Sequence, residues 1–336
     1  MRDVAELAHV GTMTVSRVIN DGAHVTAETR KRVLDAIAKL NYRPNAIARS
    51  LRKQRSSQIG IIVPDLEDPF FAICAQAVSV VAKEHAYSVS IAISGDDPDV
   101  VYDEAILMVQ RHIEGLVVIP AIGNGAKLAS DEFSRMPIVT LDRQIPNTRF
   151  DSVVVKNKEG AEVAVQHLID LGHRRIACLG LSAQLKTIKD RSEGYLCAMK
   201  KARLKPELYY GNSSRNETLR IIRTMVSSKN APTAVFCSNN LVTKHALHAL
   251  HELNLRVPDH ISLVGFDDFE TADLLDPAIT VVRQPIMDMG RMGAHLLFSR
   301  LSPGTHGDRG KRIVLPVELI VRESCGIGGR SLKAKD

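Results

Sequence analysis

From Ile59 onward, short apolar runs alternate with longer stretches of helical periodicity, and the scheme repeats after residue 150. The runs are IGIIV (59–63), SVSIAI (88–93), GLVVI (115–119) and PIVTL (137–141), then SVVV (152–155), RIACLG (175–180), TAVFC (233–237) and ISLVGF (261–266). Helical stretches include 70–86, 157–171, 239–254 and 285–302. Strand–helix alternation implies parallel sheets joined by right-handed crossovers. Two such blocks predict an α/β body of two parallel-sheet lobes over 59–336. The first lobe is expected over about 59–155 plus 286–312, and the second over about 156–285 plus 313–325.

The segment before this body has a different character. The chain carries 44 Lys and Arg against 38 Asp and Glu. Residues 1–58 hold 11 of the basic and 5 of the acidic side chains, which leaves 33 of each for the body. All the excess positive charge therefore sits on a small head, the electrostatic layout of a module facing a polyanion.

Within the head, Val4, Leu7 and Ala8 recur at helical spacing, Val10–Gly11 interrupts, and Thr12–Asn20 resumes with Val15, Val18 and Ile19 inward. Small Ala5 suits a close helix crossing. A third run follows Thr26 as N-cap, with Val33, Leu34, Ile37 and Leu40 inward, and stops before Pro44. Three short helices with a tight turn between the first two predict an all-α helix-turn-helix head over 1–43, whose second helix enters the DNA major groove. Its outward residues are Thr12, Met13, Thr14, Ser16, Arg17 and Asn20. An arginine can fork to guanine, a Met or Thr methyl can meet a thymine methyl, and hydroxyls and amides can bond phosphate. A plain surface helix would carry much the same pattern; the co-located charge favours DNA.

Ligands in open α/β sheets bind beyond the carboxyl ends of the strands. That rule nominates Asp65–Phe71, Pro120–Ala121, Asp142–Arg143, Asn239–Asn240 and Asp267–Asp268. Carboxylates and amides fork across adjacent hydroxyls, and an aromatic face suits sugar C–H groups. Asp65, Glu67 and Asp68 could equally cap the helix that follows them.

TVSRVIN, the Val25–Thr26…Thr29–Arg30 stretch and NYRPNAIARSL resemble the head of the LacI/GalR repressors. In the body, LDR (141–143), LGHRRIA (171–177), APTAVFCSNN (231–240), LRVPDHISLVGFDD (255–268) and ITVVRQP (279–285) extend the resemblance to a periplasmic-binding-protein-like core. The resemblance implies that Thr12 and Met13 are the variable base-reading pair, that Arg17 contacts a base, and that Thr14, Ser16, Asn20 and His24 hold the DNA backbone. By composition 44–58 reads as a plain linker. The resemblance instead makes Asn45–Leu51 a hinge helix that orders on operator DNA, with Leu51 as a minor-groove wedge and Ala48 allowing two hinges to pack. It places Phe70, Phe71, Asp142, Thr187, Arg191, Asn239, Asp267 and Gln284 around an effector cleft, with Arg191 as the polar clamp.

Several positions depart from the family pattern. His9-Val10-Gly11 replaces the usual Gly-Val-Ser of the turn, although His tolerates a left-handed conformation better than most residues. The Thr that caps the first helix is absent, so either the start codon lies upstream or this helix end frays. Asn240 stands where an Asp is common, and 182–190 matches only through the Thr187…Arg191 spacing.

Other signals point nowhere. The spacing of His245, His248 and His251 drifts around a helix, GDDPD (95–99) lacks the spacing of a calcium loop, and GIGG (326–329) lies in a tail. No nucleophile elbow or phosphate loop occurs, so no catalytic residue, metal or cofactor is expected. Cys74, Cys178, Cys197, Cys237 and Cys325 are odd in number and far apart, which fits a reducing compartment. The N-terminus has no apolar export core, and a cytoplasmic location follows. The expectation is a cytoplasmic, homodimeric repressor of operator DNA, controlled by a small metabolite: a sugar or sugar derivative first, a purine-like ligand second. An exported sugar-binding protein shares the body but not the basic head. A sugar-converting α/β enzyme would have to consume its ligand.

Overall fold

Helical periodicity in the first forty residues becomes α1 (Arg2–Leu7), α2 (Thr12–Ile19) and α3 (Ala27–Lys39) in the computed structural model. The structure describes residues 1–19, 24–42, 56–123, 125–211, 214–302 and 310–327. Asn20 and the expected hinge, with Ala48 and Leu51, lie outside them. The chain divides into two compact units, Met1–Ser57 and Gln58–Asp336.

In the first unit the turn between α1 and α2 is made by His9, whose φ of 51° is the left-handed conformation expected of it. Gly11 O then accepts from Thr14 N and Val15 N, opening α2. Thr26 caps α3 by accepting from Thr29 N at 3.3 Å. At the start of α1, Met1 supplies no side-chain cap. The core is small: Val4, Ala5, Ala8, Val15, Val18, Val33 and Ala36, with Ile19 and Ile37 partly buried against it. Leu7, Leu34 and Leu40, expected inside, are exposed. Val and Ala side chains bring the three helices too close together to leave room for a further large residue at the core's rim.

The second unit holds two six-stranded sheets. Strands β1 (Gln58–Val63), β2 (Ser88–Ile93), β3 (Leu116–Val118), β4 (Ile138–Leu141) and β5 (Asp151–Val155) fall in the first half of the body. Strands β6 (Ile176–Gly180), β7 (Glu207–Tyr210), β8 (Ala234–Cys237), β9 (Ser262–Phe266) and β10 (Thr280–Arg283) fall in the second. β11 (Arg312–Leu315) and β12 (Glu318–Ile320) come last. The sheet orders are β11-β5-β4-β3-β1-β2 and β12-β10-β9-β8-β6-β7, the same topology twice. Every pairing in the first sheet is parallel. In the second, β12 is the one strand among the described residues that runs antiparallel to its neighbour.

β11 corrects the expected lobe boundary. The expectation gave all of 313–325 to the second lobe. Arg312–Leu315 instead pairs with Ser152–Val155 of the first, and the chain crosses over only at Pro316–Val317 before β12 joins β10.

Helices cover both faces: α4 (Pro69–Glu84), α5 (Pro98–Gln110), the short α6 (Gly125–Leu128), α7 (Asn157–Asp170), α8 (Lys186–Lys201), α9 (Arg215–Val226), α10 (Asn240–Glu252) and α11 (Ile286–Leu301). α11 returns to the first lobe and packs on α4 through Gly290, where a Cβ would sit 2.8 Å from Cys74 O. Buried Val, Ile, Leu and Ala fill the layer between each sheet and its helices. Among the described residues, no helix is long and apolar enough to cross a membrane.

Candidate functional site

On α2 the side chains sort cleanly. Val15 and Val18 are buried, Thr12, Met13 and Arg17 are exposed, and Thr14 and Ser16 are half-buried. Met13 keeps 69% of its surface, an unusual exposure for a large apolar side chain in so small a bundle. Arg17 follows Met13 by four residues, so both stand on one face of the helix. His24 is exposed, with a φ of 69°.

In the body, the strand-end rule and the duplicated topology converge on one place. Asp142 follows β4 and Asp267 follows β9, so they hold equivalent positions in the two lobes. Both adopt left-handed backbone, at φ 63° and 72°. Each backbone N–H then bonds the neighbouring strand: Asp142 N to Val153 O at 3.0 Å, and Asp267 N to Val282 O at 2.9 Å. The bend turns each carboxylate out of its sheet into a cleft of about 660 Å³ between the lobes.

All eight residues assigned to the cleft from the sequence line it: Phe70, Phe71, Asp142, Thr187, Arg191, Asn239, Asp267 and Gln284. Arg191 is 3% exposed and rigidly held. Its Nε donates to Asn157 Oδ1 at 2.7 Å, and its Nη1 donates to Ser238 O at 2.8 Å and Asp267 Oδ2 at 3.0 Å. The guanidinium lies 3.8 Å above the Phe266 ring centroid. These contacts fix the plane of the group and leave Nη2 without a hydrogen-bond partner among the described residues. Gln284 Nε2 donates to Asp267 Oδ1.

On the first lobe, Asp68 caps α4 by accepting from Phe70 N at 3.0 Å, and Pro69 occupies the first turn. Asp65 Oδ1 accepts from Asp68 N at 2.7 Å. The capping alternative holds for Asp68 alone: Asp65 accepts from the N–H of the capping residue itself and not from a helical N–H, and all three of Asp65, Glu67 and Asp68 line the cleft. Asp68 in addition accepts from Asn240 Nδ2 of the second lobe at 2.9 Å. The Phe70 and Phe71 rings meet edge to face with centroids 5.3 Å apart. Asn239 caps α10 through Oδ1, which accepts from Val242 N at 3.0 Å.

Burial dominates the electrostatics. Desolvation pushes Asp142 above the usual carboxylate range, against the pull of Arg143 and Arg191. Asp267 is raised in the same way, opposed first by Arg191 and then by Gln284. Asp68 too is raised by burial, despite its bonds from Phe70 N and Asn240. Arg143 reaches Asp96 and Pro120 O rather than open solvent.

Some nominated positions fall elsewhere. Asp268 turns away from the cleft and takes bonds from Arg283 and Arg322, which hold it below the usual range although burial works the other way. Pro120 offers the cleft only the carbonyl that orients Arg143, and Ala121 is not part of the lining. Lys244, Leu185 and Asp96 line it without having been singled out. Lys244 stands one helical turn after Asn240, a spacing that could have suggested it. Among the described residues no group of three or more His, Cys, Asp or Glu is placed to hold a metal ion. Burial pushes the Cys178 thiol up to about 12, the behaviour of a core residue rather than a nucleophile.

A basic three-helix reader and a two-lobed core with a polar cleft define a ligand-controlled DNA-binding regulator. Residues 1–45 match the model for bacterial regulatory proteins of the lacI family, and 165–325 match the periplasmic binding protein-like domain. The chain is 32% identical to the HTH-type transcriptional repressor PurR of Mannheimia succiniciproducens, over 96% of this chain and 98% of that one. It is 30% identical to the ribose operon repressor of Halalkalibacterium halodurans, over 99% of each. The crystal structure of the lac repressor dimer bound to operator and the anti-inducer ONPF superposes with a TM-score of 0.86 at 28% identity, covering 96% of this chain and 97% of that one. The chain belongs to the lacI family: it is a DNA-binding transcriptional repressor controlled by a small effector.

Proposed function

We propose that this protein works in the cytoplasm as a homodimer, represses by binding a pseudo-palindromic operator, and responds to a sugar or sugar derivative held between the two lobes of its core. It acts by binding and not by turnover. The observation that carries the reading is the convergence of eight side chains from separate strand ends and helix starts on one polar cleft containing two Phe rings. Carboxylates, amides and a guanidinium beside an aromatic pair are the groups that bind vicinal hydroxyls and stack on a pyranose or furanose face. One relative, a ribose operon repressor, supports a sugar as well.

On the DNA side, Thr12, Met13 and Arg17 read base edges, while Thr14, Ser16, Asn20 and His24 hold the backbone. Residues 44–58, with Ala48 and Leu51, serve as the hinge. Protein two-fold symmetry matches two half-sites. Ligand binding alters the angle between the lobes and so biases the hinge and the affinity for DNA, with a coupling on the order of 1–3 kcal/mol.

The test is selection of duplexes from a random pool by the full chain, followed by titration of the selected operator with and without sugars. A two-fold-related consensus whose affinity shifts with an unconsumed sugar is the expected result. No enriched sequence, or loss of the sugar to a product, would end this reading.

A further inference from the structure

The cleft's charges and orphaned atoms say more about the ligand than its outline does. Six carboxylates line it: Asp65, Glu67, Asp68, Asp96, Asp142 and Asp267. Only three cations join them, Arg143, Arg191 and Lys244. Two of the three are already committed. Arg143 pairs with Asp96 and lies 3.5 Å from Asp142, and Arg191 pairs with Asp267 at 3.0 Å. That leaves Lys244 as the third cation against the remaining carboxylates of the lining, Asp65, Glu67 and Asp68.

An independent observation points the same way. Asn240 and Gln284 are 3% and 5% exposed. Each spends its amide N–H on a carboxylate, Asn240 on Asp68 and Gln284 on Asp267. Their carbonyl oxygens, Asn240 Oδ1 and Gln284 Oε1, are buried without any hydrogen-bond partner among the described residues; the one buried orphaned donor of the lining, Arg143 Nε, lies 3.5 Å from Asp142 Oδ2, so the acceptors outnumber it. A buried acceptor without a donor costs free energy that a bound donor recovers. Both residues stand in the cleft wall, where a bound hydroxyl or ammonium is the class of donor that would satisfy them.

We infer that the effector is an unphosphorylated, non-acidic polyol, neutral or amine-bearing, whose hydroxyl or ammonium hydrogens meet an acceptor-rich wall, and that phosphorylated and carboxylated sugars are excluded. This inference rests on the reading of the cleft as a polyol site. Its physical basis is simple. A phosphate or carboxylate brings acceptors and negative charge to a site that lacks neither. At a separation of ~6 Å and an effective dielectric of ~20, each added negative charge beside one unpaired carboxylate weakens binding on the order of a hundred-fold. A hydroxyl donates to Asn240 Oδ1 or Gln284 Oε1 and, where it also accepts, can take the free Nη2 of Arg191.

The experiment is a thermal-shift and calorimetric panel on the full chain. Mono- and disaccharides, sugar alcohols and amino sugars are each set beside their own phosphate or uronate. A free or amino member that raises Tm, with its phosphorylated or acidic counterpart at least about a hundred-fold weaker, is the expected result. A phosphate or uronate that binds as tightly as its parent would overturn the inference and leave the polyol reading standing. Silence across every member would remove the polyol reading itself. The charge origin is tested with the Asp65→Asn, Glu67→Gln double variant, in which the new amide oxygen at position 65 can still accept from Asp68 N. The ratio of affinities for the neutral parent and its phosphorylated partner should fall by about ten-fold or more in low salt, whatever the change in either affinity alone. Unchanged discrimination would mean that shape and not charge excludes anions, and would overturn the inference.

Discussion

Asn240 donates from Nδ2 to Asp68 Oδ1 at 2.9 Å, which joins α10 of one lobe to the first turn of α4 of the other. The same Asp68 oxygen caps α4 through Phe70 N, so one carboxylate atom ties helix capping to the opening of the cleft. Substituting Asn240→Asp replaces the donor with a second carboxylate. At neutral pH the variant should lose about 1–3 kcal/mol of inter-lobe attraction, with a lower Tm and a larger radius of gyration by solution scattering. Because burial already holds Asp68 above the usual range, acidification should protonate the pair and restore Tm. An unchanged radius at pH 7.5 would show that this contact does not set the lobe angle.

Asp267 serves two roles that one substitution can confuse. It lines the cleft, and it is also the counter-charge of a guanidinium that is nearly fully buried. Removing one partner of a buried pair leaves an uncompensated charge, at a cost of about 3–5 kcal/mol. Asp267→Ala should therefore melt well below the parent protein as well as losing its ligand response. Thr187→Ala touches the cleft without breaking an ion pair, and should weaken the ligand with little change in Tm. Equal Tm for Asp267→Ala and the parent in circular dichroism melts would refute the structural role.

The duplicated sheet was legible in the sequence because its central strands are continuous apolar runs, buried along their length. β7 was not, since Glu207–Tyr210 is an edge strand with half-exposed residues. That β11 and β12 belong to different lobes was not legible either, because only spatial pairing separates Leu315 from Glu318. Of the eight cleft residues, Phe70, Phe71, Asp142, Asn239 and Asp267 were reachable from strand ends, whereas Thr187, Arg191 and Gln284 came only through the family resemblance. The link between Asp68 and Asn240 was not, because 172 residues separate them. In the head, helical spacing marked Leu34 as apolar but could not say that a core of Val and Ala closes without it.

The raised carboxylates give stability a pH slope of known sign. Between the ordinary Asp value and the higher native one, the folded chain keeps a proton on Asp142 that the unfolded chain has released. Stability therefore falls as pH rises through that window. Asp142→Asn removes the titration and keeps a residue that tolerates φ 63°. Its Tm relative to the parent should be higher at pH 7.5 than at pH 4.5. A difference that does not vary with pH in scanning calorimetry would mean that Asp142 is not protonated preferentially in the fold.

Met13 and Arg17 share the exposed face of α2, and the proposed reading has them reach DNA by different physics, which salt separates. Arg17→Ala should cost about 1–3 kcal/mol on the selected operator and relax preference at one base pair, because a forked arginine–guanine contact is lost. Met13→Ala removes only apolar contact with a base edge. It should change preference at a neighbouring position and leave the dependence of log K on log salt untouched, since no counterion is released through a thioether. Binding-site selection at two salt concentrations measures both effects. If Arg17→Ala weakened every sequence equally, the arginine would be holding phosphate and the base-reading assignment would fall to Thr12 and Met13 alone.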